Sequence, residues 1–79
     1  MKLLLRNLCE DVCENELMHI FSTYGKVKKA KILRDERNMQ SRGVAIVEME
    51  DGGEIALQAM NYSNYKAQYL VVSELTEKE

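Results

Sequence analysis

Apolar positions switch between two periods along the chain. Lys2 to Arg6 carries a short apolar run, Leu3, Leu4 and Leu5, closed by Asn7, and its length suits a buried strand better than a helix. Leu17, Ile20, Phe21 and Tyr24 then recur at i, i+3, i+4 and i+7, behind Glu10, Asp11 and Glu14, acids that suit a helix N-terminus. This spacing predicts a first helix near residues 14 to 24, ended by Gly25 in the left-handed conformation. From Val27 the period is two: Ala30 and Ile32 are apolar, Lys29 and Lys31 polar, as in a strand with one wet face. Asp35 to Ser41 is polar apart from Met39 and reads as a loop. Arg42 to Met49, rich in Val and Ile, predicts a third strand, stopped by Glu50, Asp51, Gly52 and Gly53. Gly53, Ala56, Leu57 and Met60 mark one face of a second helix near 52 to 61. Tyr62 to Gln68 is a polar connection, and Tyr69 to Leu75 is a β-rich last strand.

The order is βαββαβ, an α+β arrangement in which two helices cover one face of a four-stranded antiparallel sheet and leave the other open. Alternation sends Leu3, Leu5, Ala30, Ile32, Ala45, Val47, Leu70 and Val72 into the core. The opposite set is Lys2, Leu4, Arg6, Lys29, Lys31, Leu33, Arg42, Val44, Ile46, Glu48, Tyr69, Val71 and Ser73. Its centre is aliphatic and its surround mostly basic. Residues 1–76 form one domain by this reading, and 77–79 a short frayed tail.

Length and charge sharpen the picture. In 79 residues a hydrophobic core contributes roughly 3–5 kcal/mol, which leaves little room for an elaborate catalytic cavity. The net charge of −2 conceals an asymmetry. Residues 26–42 hold seven basic side chains against Asp35 and Glu36, a local +5; residues 48–79 hold seven acids against Lys66 and Lys78, −5; residues 1–25 supply the remaining −2. A concentrated basic segment in a mildly acidic chain points to one charged working surface. The leucine run is far shorter than the roughly 20 apolar residues of a membrane span or the roughly 7–15 of a signal-peptide core. The expectation is a soluble, cytoplasmic chain with no membrane partner.

Cys9 and Cys13 are four positions apart, which is no disulfide framework, and are expected to be free thiols. With His19 they make three residues of metal-ligating type, but their spacing matches no zinc pattern and a fourth ligand is missing. As a nucleophile and base, Cys and His lack a third group to orient them. No enzyme activity, metal or cofactor is therefore expected.

Leu3-Leu4-Leu5-Arg6-Asn7-Leu8 resembles the shorter ribonucleoprotein motif of the RNA-recognition-motif family, and Arg42-Gly43-Val44-Ala45-Ile46-Val47-Glu48-Met49 resembles the longer one. Between them Leu17, Phe21, Tyr24, Gly25 and Val27 look like the family's first helix and its Gly-x-Val entry to strand two. The resemblance covers essentially the whole chain and implies a ferredoxin-like fold. It also implies a small RNA-binding module acting by itself, similar to the single-motif proteins of bacteria.

Family members stack bases on rings at the positions that are Leu4, Val44 and Ile46 here, where stacking adds about 1–3 kcal/mol per base. None of these three can stack as a ring does. Met49 matches the last aromatic of the longer motif, but its phase puts it on the helix side. What the resemblance then implies is single-stranded RNA, with single-stranded DNA offering the same phosphates, held by Lys2, Arg6, Lys29, Lys31 and Arg42. Bases would touch Leu4, Val44 and Ile46, with Tyr69 as the one ring placed to stack, and Gly43 would allow close approach of backbone or ligand. Two other uses of these residues stand beside it: a solvated basic strand face, and an aliphatic patch that docks a protein partner or a second copy as a homodimer.

Overall fold

Side-chain alternation and a single packed core account for the architecture of the computed structural model, which describes residues 1–76; the tail expected at 77–79 lies outside them. The elements are β1 (Lys2–Arg6), α1 (Glu14–Phe21), β2 (Val27–Arg34), β3 (Ser41–Met49), α2 (Gly53–Met60), β4 (Asn64–Tyr65), β5 (Gln68–Tyr69) and β6 (Val71–Leu75). β1, β2, β3 and β6 form one antiparallel sheet in the order β2-β3-β1-β6, with the longer-motif and shorter-motif strands at its centre. The two helices lie on the same face, α1 against β2 and α2 against β6 and β1. None of the described helices is long and apolar enough to cross a membrane.

The buried side chains between helices and sheet are all apolar. Leu3, Leu5, Ile32, Ala45, Val47, Met49, Leu70 and Val72 come from the sheet, and Leu17, Phe21, Ala56 and Met60 from the helices. Leu8 and Val12 close the core beneath the β1–α1 loop. Met49 is 1% exposed, on the helix side as its phase requires. A β-bulge explains how β2 joins this core: Val27 is opposite Met49 but Lys29 is opposite Glu48, so Lys28 is an extra residue. The bulge shifts the alternation by one. Val27 and Ala30 both pack on the core, three residues apart, while Lys28 and Lys29 are both exposed.

Three expected features differ. The first helix ends at Phe21, not Tyr24, because the chain tightens: the Thr23 and Tyr24 amides donate to the carbonyls of Ile20 and Phe21, three residues back, at 3.3 and 3.0 Å. Tyr24 still packs on the core from this turn. Gly25 is not left-handed; positive φ occurs at Gly43 (75°) and Gly52 (70°). Gly25 is instead demanded by space, since a Cβ there would sit 2.3 Å from the Asp51 carbonyl oxygen. The last strand of the sheet begins at Val71 rather than Tyr69. Residues 64–69 form a separate two-stranded hairpin, with Lys66 and Ala67 at φ 53° and 66° in its two-residue turn. Both turn residues at positive φ make a type I′ turn, whose usual Asn-Gly or Asp-Gly signature is absent from this sequence.

Candidate nucleic-acid interface

Strand register sets the open face in transverse rows. Ile46 on β3 stands opposite Lys31 of β2 on one side and Leu4 of β1 on the other, and Leu4 in turn stands opposite Ser73 of β6. The adjacent row is Lys29, Glu48, Lys2 and Leu75. Leu4, Val44 and Ile46 are half-buried, and Lys29 and Lys31 are exposed. The aliphatic centre and its basic flank, inferred from alternation, are thus side by side.

Ion pairing divides the basic side chains into two groups. Lys26 pairs with Glu50 and Lys28 with Glu48, each at 3.4 Å, Arg34 pairs with Glu14 at 2.9 Å and Arg37 with Asp35 at 3.7 Å. Among the described residues, the side chains of Arg6, Lys29, Lys31 and Arg42 make neither an ion pair nor a hydrogen bond. Of the seven basic residues in the 26–42 segment, four are therefore neutralised locally, and the three remaining all belong to the open-face set.

Arg6, Arg42 and Val44 gather at the other end of the face, where they line an open cavity of about 630 Å³ with Asn7, Leu8, Gly43 and Gln68. Its shape follows from two backbone devices. Gly43 at φ 75° accepts the Leu8 amide on its carbonyl at 3.0 Å and donates its own amide to the Ser41 hydroxyl oxygen at 3.1 Å. A Cβ at Gly43 would lie 3.2 Å from the Leu8 carbonyl oxygen, so the close approach is by this chain's own backbone. Asn7 takes a left-handed φ of 59°, which Asn tolerates well. Its amide donates to the Tyr69 carbonyl at 2.8 Å, and its carbonyl accepts from the Gln68 side chain at 3.0 Å. Asn7 thereby ties the small hairpin to the end of β1. Tyr69 is 63% exposed, but on β5 rather than on the fourth strand of the sheet, where alternation placed it.

Sequence reasoning missed what secures that hairpin. The Tyr65 hydroxyl donates to Glu16 of α1, and the Lys66 ammonium bridges the same carboxylate at 3.1 Å. Tyr65, in what the sequence marks only as a polar connection, packs on the core and bonds to the first helix. Burial, then the bond to Glu16, pushes its hydroxyl up to about 12, while Tyr65 and then Lys66 hold the Glu16 carboxyl below its ordinary 4.5. Cys9 and Cys13 are free thiols, half-buried and exposed respectively. His19 is exposed on α1, and among the described residues no three His, Cys, Asp or Glu side chains converge as metal ligands would.

A family model for the RNA recognition motif matches residues 3–70. The chain belongs to this family. Among curated relatives, RbpA of Synechocystis sp., by its name a candidate RNA-binding protein, is 30% identical over all of this chain and 80% of its own length. RbpE of a Nostoc species, named in the same way, is 28% identical over all of this chain and 82% of its own. Among solved structures, the RNA-binding protein PG1 superimposes with a TM-score of 0.92 at 30% identity, covering 100% of this chain and 98% of that one. A sex-lethal protein solved in complex with RNA gives 0.84 at 30% identity, over 91% of this chain and 46% of that one. The RNA-recognition-motif fold is thus carried here by a sheet with aliphatic residues at its three central exposed positions.

Proposed function

We propose that this domain binds single-stranded RNA laid across the open sheet face, held mainly by charge and with weak base selectivity. The observation that carries the reading is the partition of basic side chains: Arg6, Lys29, Lys31 and Arg42 are left without internal partners around an aliphatic centre, while the basic residues elsewhere in the 26–42 segment are paired. Exposed cations of this kind neutralise phosphates and release counterions, and that supplies most of the affinity when rings are absent. Leu4, Val44 and Ile46 give bases apolar contact from the sheet itself, while the exposed Tyr69 lies off that sheet on β5. Membership of the family and the RNA-bound sex-lethal relative support the same ligand class.

Self-association through this face is less favourable, because stacking two copies brings Lys29 and Lys31 of each into a shared contact zone where the acid facing them, Glu48, is already paired with Lys28. The test exchanges Lys29→Glu and Lys31→Glu together and follows a labelled mixed-sequence single strand by fluorescence anisotropy at about 50 mM salt, low enough for counterion release to favour binding strongly. Binding by the parent chain and its loss in the folded double variant are the expected results. Undetectable binding by the parent, or unchanged binding by the variant, contradicts the reading.

A further inference from the structure

Glu48 is the odd residue of the open face. It stands directly opposite Lys2 on β1 and Lys29 on β2, positions whose Cβ atoms are about 4.5–5.5 Å away in an antiparallel sheet. With Lys2, Lys29, Lys31 and Ile46 it lines a pocket of about 130 Å³, in which it is the only acid among the described residues. Its side chain is only 19% exposed, and it pairs with Lys28 at 3.4 Å. That separation is long beside the roughly 2.7–2.9 Å of a close charge-assisted hydrogen bond, so the pair is loose. A carboxylate at this end of a face that attracts phosphates weakens general affinity, since it repels every phosphate nearby. It is useful there only to a ligand that presents hydrogen-bond donors.

Resting on the RNA reading above, we infer that this pocket adds one subsite selective for guanine to an otherwise weakly selective face, with Glu48 as the residue that determines it. A carboxylate only accepts hydrogen bonds, and it has two oxygens to accept with. Guanine presents two adjacent N–H donors, N1 and N2, on its Watson–Crick edge and an O6 acceptor beside them, matched to a carboxylate flanked by ammonium groups. Adenine and cytosine each offer a single amino group next to ring acceptors. Uracil offers one N–H between two carbonyl oxygens that a carboxylate would repel. Single-stranded RNA exposes these edges, which proteins read by direct hydrogen bonds. Ile46, with Leu4 beside it in the same row, supplies the apolar floor for the flat base.

The test uses four uridine hexanucleotides of equal length, one of them unmodified and three carrying a single central guanosine, adenosine or cytidine. Their affinities are measured on the parent chain and on Glu48→Gln, with Glu48→Ser as a second variant, each checked for folding by circular dichroism. The parent should prefer the guanosine strand by about tenfold, the scale of one bidentate base contact. In Glu48→Gln that preference should collapse to within about twofold, while affinity for plain uridine RNA holds or rises because a negative charge has gone. Equal binding of all four strands by the parent overturns the guanine assignment alone. A guanine preference that survives in both variants, with affinity for every strand rising alike, also overturns it and leaves Glu48 as a cross-strand charge partner. No binding of any strand by the parent overturns the RNA reading as well.

Discussion

Asn7, Gly43 and Glu16 show how much of this interface is decided by single residues far from one another in sequence. Gly43 holds the β1–α1 loop through a backbone bond to Leu8, Asn7 holds the small hairpin through its side-chain amide and its own carbonyl, and motif position marks both in the sequence. Glu16 was not legible. Its partner Tyr65 is 49 residues away, and no local pattern connects a helix acid to a tyrosine in a distant connection. The bond has a consequence for pH. Because Glu16 titrates below 4.5 in the folded chain, its contribution to stability is complete above that value and is lost as pH falls through the lower folded value. Tyr65, raised to about 12, contributes fully below 10.0 and loses its contribution as pH rises towards 12. Urea midpoints at pH 7 and pH 3 should therefore converge more closely in Glu16→Gln than in the parent chain. An equal fall in both would show that this bond is not felt.

At the scale of elements, helices and central strands follow their periodicities, and so their core residues were readable, whereas Leu8 and Val12 in the β1–α1 loop, outside any periodic element, were not. The departures have local causes. β2 contains a bulge that two-residue alternation cannot anticipate, although Ala30 and Ile32 lie beyond it and keep their assigned side. The hairpin at 64–69 turns through Lys66 and Ala67, residues with no turn signature, and this moved Tyr69 off the sheet. β3 carries the clearest test of the missing rings. Val44 and Ile46 are half-buried on the open side, outside the core, so Val44→Phe and Ile46→Phe should leave the fold intact. If bases lie on these positions, each ring should tighten RNA binding by about 1–3 kcal/mol, the usual gain from a stacked base. Isothermal titration of both variants measures this, and unchanged affinity would mean that the bases pass elsewhere.

For the whole molecule, the basic segment was visible in the sequence as a charge excess, but not which of its members were spent internally. Only the fold brings Glu14 to Arg34 and Glu48 to Lys28, and only then do Lys29, Lys31 and Arg42, with Arg6 from β1, remain as the outward charge. A face that binds through those four cations and little stacking has a definite salt signature. With about 0.7 counterions released per phosphate neutralised on a single strand, the log–log slope should be about −2.8, and affinity should fall about 50-fold between roughly 50 and 200 mM salt. Measuring the dissociation constant for single-stranded RNA across that range tests the central claim most directly. A slope near that value supports charge-led binding on the open face; an affinity that is flat with salt, or no binding at the low end, contradicts it.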